Sequence, residues 1–401
     1  MKLCAIISEF NPFTNGHEYI ISQAKQKTGL DVVCLMSGNA VQRGEFALQD
    51  KYTRATNAIK GGASLVIELP TIDAVSSAKY FARGAIRALM NYRLATHLCF
   101  GVRTDNTKFL ISLAKLKAKE PEQLKTLIKE NTDKGLNYNQ SVQNALKLYL
   151  PKKHTELDQI FNDANNILAL EYLTAIYEYK AKIKPVFVNR LDNGYNSDQP
   201  FSTTINGKQK TFAPASLVRQ KLEQNQPISE FVPEYTLDSL KNINASSILT
   251  TKAKYEALVL NKLRNTRVDY LAQVCHNTPL ANLIMNNAKK YSTLTEIVEN
   301  STAKCFKQSR INQTLLLNLL DINYNKLYTS SINVLAIKKD KKELIKEFIK
   351  DTYLQVIVSS KDLARLDQNR LYTTQIDQQS SNIFNIINSK PQSQDLCVFV
   401  D

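Results

Sequence analysis

Four short stretches in the first hundred residues are apolar almost throughout: Leu3–Ser8, Asp31–Ser37 (DVVCLMS), Ser64–Leu69 (SLVIEL) and Thr96–Phe100 (THLCF). A strand with one wet face alternates apolar and polar residues, whereas a strand covered on both faces reads as a continuous apolar run. Between these runs, His17–Lys27, Asp50–Lys60 and Ala74–Asn91 carry the spacing of amphipathic helices. Strand and helix in regular alternation predict a doubly wound, Rossmann-like α/β domain with a parallel sheet and right-handed crossovers.

The pattern then changes. Phe109–Lys119, Pro121–Asn131 and Ile167–Tyr179 read as helices, Pro185–Asn189 as a further strand, and the polar stretch 191–212 as a loop. Pro214–Gln224 reads as a helix with proline in its first turn. From about residue 233 helical spacing dominates: Pro233–Leu240, Tyr255–Asn261, Asp269–Val274, Pro279–Lys289, Thr293–Glu299 and Ile311–Leu320. Ser331–Ile337, a charged helix over Lys338–Thr352 and Leu354–Val358 follow. The organisation expected is an α/β domain over 1–225, a mainly helical domain over 226–330, and a small C-terminal α/β appendage over 331–401.

Composition adds little to the fold and something to the partner. The chain has 401 residues, 52 Lys+Arg and 37 Asp+Glu, for a net charge of +15. A cationic surface favours a polyanion such as nucleic acid. The N-terminal sequence has no apolar run long enough for a signal peptide or a membrane span, so a cytoplasmic protein that meets no membrane is expected. Six scattered cysteines with no CxxC pair suggest buried free thiols, and four isolated histidines make a zinc site improbable.

The chemistry concentrates in Ile6–Ile20, IISEFNPFTNGHEYI. A strand runs into Glu9, Asn11-Pro12-Phe13 turns the chain, and Thr14-Asn15-Gly16-His17 opens a helix. Open parallel sheets bind ligands beyond the carboxyl ends of their strands, and a helix N-terminus there offers free N–H groups to phosphate. Gly16 leaves room for the approach, while Thr14 and His17 are the candidate donors to phosphate oxygens.

This spacing resembles the [HT]xGH signature of the nucleotidyltransferase superfamily. NPFTNGH, MSGNAVQRGEFA (Met36–Ala47), LVIELP (Leu65–Pro70), FARGAI (Phe81–Ile86), Phe100-Gly101 and NNIL (Asn165–Leu168) together resemble the tRNA(Met) cytidine acetate ligase family. The resemblance implies a nucleotidyltransferase α/β domain and an enzyme that uses ATP with Mg²⁺. It would convert acetate to acetyl-adenylate and acetylate the wobble cytidine of elongator tRNA(Met), giving N4-acetylcytidine. The alternative is a diverged paralogue, either an adenylyltransferase for a small metabolite or a non-catalytic RNA-binding protein.

The resemblance also implies a site. Thr14 and His17 would be catalytic. The ATP loop would comprise Ile7, Ser8, Glu9, Phe10, Asn11, Pro12, Phe13, Thr14, Asn15, Gly16, His17, Glu18, Tyr19 and Ile20. Gly101 and Arg190 would lie beside the nucleotide with either Asn165 or Asn166, while Ser216 and Arg219 match a second phosphate signature. Lys304, Lys307 and Arg310, interleaved with Phe306, are the candidate tRNA contacts. The chain has Thr14 and Asn39 where the family commonly has histidine, and Lys304-Cys305-Phe306-Lys307 where it tends to have Lys-Arg-Tyr-Thr. Two readings stay open for Glu68, which ends the third strand: a Mg²⁺ ligand or the partner of a nearby arginine.

Overall fold

The computed structural model describes residues 2–191, 199–205, 207–303, 305–324, 331–352, 354–366, 368–392 and 397–401. Its strands are β1 Leu3–Ser8, β2 Val32–Ser37, β3 Ala40–Val41, β4 Glu45–Phe46, β5 Leu65–Leu69, β6 Ala95–Val102 and β7 Lys184–Asn189. They continue with β8 Phe201–Ile205, β9 Lys208–Phe212, β10 Ser331–Lys338, β11 Gln355–Ile357 and β12 Val398–Val400. Among the described residues, the central sheet runs β11-β10-β5-β2-β1-β6-β7, with β12 also on β10. From β5 to β7 every pairing is parallel; β10 runs antiparallel to β5.

The continuous apolar runs have the predicted cause. β2 and β5 are buried at every position. Alternate residues feed two cores: Leu3, Ala5, Val33, Leu35 and Ile67 face one, and Cys4, Ile6, Val32, Cys34 and Val66 face the other. Each large aliphatic side chain so buried contributes about 2 kcal/mol. Arg54 and Lys51 lie within the same sandwich, fully buried, on the helix Lys51–Lys60.

Several local readings are corrected. The stretch 191–212, expected to be a loop, contains the antiparallel hairpin β8–β9, in which Phe201 pairs with Phe212. Its strands, FSTTI and KQKTF, carry few apolar residues, at Phe201, Ile205 and Phe212 only, so the alternation that announces a strand is weak. Ala74–Asn91 is two helices, Thr71–Ala74 and Ala78–Tyr92, separated at Val75–Ser77. The charged helix begins at Glu343, after β10 has run through Lys338 and a 3₁₀ turn over Lys339–Lys341. Tyr138–Tyr149, His154–Phe161 and Gln368–Ile387 are additional helices. Of the cysteines, Cys305 is exposed rather than buried.

The helices between Ala245 and Leu319 enclose their own core, around Leu263, Leu271, Ile284, Ile297 and Ile311. Residues beyond 330 return to the central sheet through β10, β11 and β12, while the helix Gln368–Ile387 supplies Ile376 and Ile383 to a cluster shared with Leu316 and Val75.

Candidate active site

The chain leaves β1 at Ser8 and turns through Phe10, at φ +49°, and a cis Asn11–Pro12 peptide into the helix Asn15–Thr28. This turn is tied from several sides. The Asn11 side-chain oxygen accepts from the Leu48 amide at 2.9 Å, and the Asn11 carbonyl accepts from Arg219 at 2.8 Å. Asn15 donates to the Thr211 and Glu230 carbonyls, each at 2.9 Å. Phe10 and Phe13 are buried beneath the turn.

Arg54 is the deepest of these ties. Its guanidinium donates to the carbonyls of Glu9 at 2.6 Å, Ser37 at 3.1 Å and Gln49 at 3.0 Å, and also to that of Gly38. Burial lowers its pKa to about 10, so it remains charged at neutral pH. One cation thus fixes the ends of β1 and β2. Sequence reasoning missed it, because a cation on an otherwise ordinary amphipathic helix gives no sign of being turned inward.

His17 occupies the third position of its helix, with Thr14 as the N-cap. The Thr14 backbone amide donates to His17 Nδ1 at 3.0 Å, and the Thr14 hydroxyl lies 3.2 Å from the same nitrogen. An amide nitrogen can only donate, so Nδ1 is unprotonated and the imidazole proton resides on Nε2. Phe10 and Phe13 flank the ring at centroid distances of 5.0 and 5.6 Å. Burial, and secondarily the charge of Arg190, lower its pKa to about 3. His17 is therefore a neutral donor over the physiological range.

Thr14, Gly16 and His17 line a cleft of about 240 Å³ with Ser8, Phe10, Gly101, Asn165 and Arg190. Arg190 donates to Asn165 Oδ1 at 3.1 Å. A Cβ on residue 101 would stand 3.1 Å from Arg190 Cγ, so Gly101 gives that side chain its course. The Ser8 hydroxyl is buried without a hydrogen-bond partner among the described residues. Among those residues no carboxylate lines the cleft. A helix N-terminus, an arginine and a neutral histidine donor make it suited to an anion.

The structure separates the two asparagines. Asn165 faces the cleft. Asn166 is buried, accepts from the Arg103 amide at 2.8 Å and donates to the Gln159 carbonyl at 3.2 Å. Other candidates lie outside the lining. Ser216 is exposed on the helix Ala215–Glu223, whereas Pro214 and Ala215 reach the cleft. Glu9 accepts from the Gln42 amide at 2.7 Å, with burial raising its pKa. Glu18 accepts from Tyr235 at 3.1 Å and pairs with Lys210.

Glu68, open in sequence between a Mg²⁺ ligand and the partner of an arginine, pairs with a lysine. Its carboxylate pairs with the buried Lys51 at 3.0 Å and accepts from Asn333 of β10. Among the proposed tRNA contacts, Lys304 lies outside the described residues, and Lys307 is exposed at the start of the helix Gln308–Leu319. Arg310 is half-buried and donates to the Cys275 carbonyl. Phe306 is partly buried, packed against the helical core.

Comparison with known proteins gives consistent matches. The model of the HIGH Nucleotidyl Transferase family matches residues 1–396. A tRNA(Met) cytidine acetate ligase of Clostridium perfringens is 30% identical over 404 residues, covering 97% of this chain and 96% of that one. One from Clostridium kluyveri is 33% identical over 330 residues, covering 79% and 78%. The crystal structure of apo Thermotoga maritima TmcAL superposes with a TM-score of 0.86 at 22% identity, over 100% of both chains. The same protein bound with alpha-thio ATP gives 0.84 at 21% identity. These two structures share the fold of this chain.

Proposed function

The chain belongs to the tRNA(Met) cytidine acetate ligase family of HIGH nucleotidyltransferases, and from that premise we propose that it activates acetate with ATP and acetylates the wobble cytidine of elongator tRNA(Met). An acetate oxygen attacks the α-phosphorus of ATP, the bond to the bridging oxygen breaks, and pyrophosphate leaves. The cytidine N4 amine then attacks the acetyl carbonyl, loses a proton and expels AMP. The product is N4-acetylcytidine.

The observation that carries this reading is the fixed tautomer of His17, with Nδ1 held by the Thr14 amide and the Nε2 proton left for a ligand in the cleft. In our reading Nε2–H and Arg190 meet the charge that grows on the phosphate oxygens. A donor placed in this way lowers the barrier by about 3 kcal/mol. Asn165 orients Arg190, Gly101 clears its path, and Arg219 positions the loop through the Asn11 carbonyl. The second step asks for little beyond proximity.

Mg²⁺ is the expected companion of ATP, but the described residues do not build it a site. Among the described residues no carboxylate lines the cleft, and no group of three His, Cys, Asp or Glu converges. In our reading the cation enters as the counter-ion of the triphosphate. Residues 226–330, with Lys307 and Arg310, are assigned to the tRNA side. Among the described residues no helix is long and apolar enough to cross a membrane.

Acetate-dependent ATP–pyrophosphate exchange, followed by mass spectrometry of tRNA(Met), tests the proposal. Exchange stimulated by acetate together with acetylated cytidine is the expected result. Exchange with a different carboxylate, or none, would reject it.

A further inference from the structure

A second and larger cleft, of about 870 Å³, shares no described lining residue with the one at His17. One wall is the helix Ala78–Tyr92 with the segment after β5; the other is formed by the helices Val268–Cys275 and Gln308–Leu319. Among the described residues, three arginines line it, Arg83, Arg87 and Arg310, against a single acid, Asp73. Four ring side chains accompany them: Tyr80, Tyr179, His276 and Tyr324.

The cations are held in place. Arg83 and Arg87, four residues apart, share one face of their helix. Arg83 makes a two-pronged contact with Glu178 at 2.7 and 2.9 Å, and Arg87 meets Asp73 at 2.8 Å. Asp73 sits in space that Gly84 leaves open: a Cβ there would approach its carboxyl to 2.4 Å. This gives Gly84 of the FARGAI run a physical task, and it anchors Arg87, which remains half-exposed. Among the described residues no carboxylate pairs with Arg310.

Tyr80 and His276 are presented to solvent, whereas Tyr179 and Tyr324 are partly packed against the core. Tyr80 is 56% exposed. His276 ends its helix at φ +49°, exposed, with its ring 4.5 Å from that of Tyr324. Arginines beside accessible rings suit unpaired nucleotides, whose phosphates take the guanidinium groups while their bases stack. An acidic peptide would use the arginines and leave the rings idle.

The position suits the reaction as well. Pro70, at the carboxyl end of β5, lines this cleft, and β5 lies two strands from β1 in the sheet. Two strand spacings are about 10 Å. Both clefts therefore border the same edge of the sheet. We propose that the cleft between Arg87 and His276 binds an unpaired loop nucleotide of the RNA substrate, stacking its base on the exposed rings and taking its phosphates on Arg83, Arg87 and Arg310.

The inference rests on RNA being the acceptor, and binding can be measured without catalysis. The probe is a fluorescein-labelled RNA hairpin with an unpaired cytidine in its loop, compared by anisotropy with a loopless duplex of the same stem. The wild-type protein should prefer the hairpin. The Tyr80→Ala/His276→Asn double variant should bind the hairpin about tenfold or more weakly and lose that preference. Asparagine accepts the left-handed backbone at 276, and both sites are exposed, so the fold is retained. Arg87→Gln should lower the slope of log K against log salt by about one. Hairpin binding unchanged in the double variant, or no wild-type preference for the hairpin, would overturn the proposal. Acetate-dependent exchange run alongside separates the two readings. Hairpin binding that needs Tyr80 and His276, without exchange, supports the cleft and rejects the reaction. Exchange with RNA binding indifferent to these residues rejects the cleft and leaves the reaction.

Discussion

The backbone amide of Thr14 points at Nδ1 of His17 from 3.0 Å, so one peptide group decides which edge of the imidazole carries its proton. The orienting donor belongs to the main chain and survives replacement of the Thr14 side chain. Thr14→Val should accordingly lower acetate-dependent exchange by no more than about tenfold. His17→Ala removes a donor to the developing charge and should lower it by about 10²- to 10³-fold. Initial-rate exchange assays on the two variants check the ordering.

The low pKa of His17, about 3, has a definite sign in stability. The unfolded chain takes up a proton near the ordinary histidine value of 6.5, while the folded chain stays neutral until about pH 3. Stability is therefore lost as pH falls through that interval. Urea denaturation of wild type and His17→Gln should show the wild type losing more stability between pH 6.5 and 4. Equal losses would mean that the ring is not held neutral. The exchange rate should show no histidine limb near pH 6.5.

Asn165 and Asn166 are neighbours with different surroundings. Asn165→Ala should raise the KM for ATP by about an order of magnitude through loss of the Arg190 contact, with an unchanged melting temperature. Asn166→Ala removes the acceptor of the part-buried Arg103 amide and should cost about 1–2 kcal/mol of stability. Kinetics and thermal melts on both variants distinguish these effects.

Gly101→Ala tests the course of Arg190. A methyl group 3.1 Å from its Cγ forces the side chain to shift. The expected outcome is a several-fold higher KM for ATP with little change in stability, read by exchange kinetics and calorimetry.

Arg54→Met leaves up to four carbonyls without their donor in a dry interior. A loss of about 3–5 kcal/mol is expected from denaturation midpoints. Arg54→Lys should recover only part of it, because one ammonium cannot span the carbonyls of Glu9, Ser37, Gly38 and Gln49.

What the sequence disclosed follows from how far each signal reaches along the chain. β1, β2 and β5 are apolar on both faces, and that pattern is local, so the parallel sheet was legible. The turn from Ser8 to His17 was legible as well, because proline and glycine at that spacing, between a strand and a helix start, mark a tight strand-to-helix connection. The hairpin β8–β9 was hidden by its polar residues. Nothing local marked Lys51 and Arg54 as buried, and Glu68 stayed open between a metal and an arginine, since the partners of all three come from distant segments. The choice between Asn165 and Asn166 depended on which way one helix turned against β6 and β7. That Phe306 packs partly against the helical core depended on helices distant in the chain.

β10 has a consequence for how the protein is made. Residue 334 pairs with residue 67, so the edge of β5 stays open through the synthesis of everything between them. The nascent α/β half carries an unpaired apolar edge, a ready template for wrong strand partners, until residues 331–338 have left the ribosome. Completion of the sheet is thus a late, long-range event in biosynthesis, and a chain halted before β10 would expose the flank of the scaffold that carries His17.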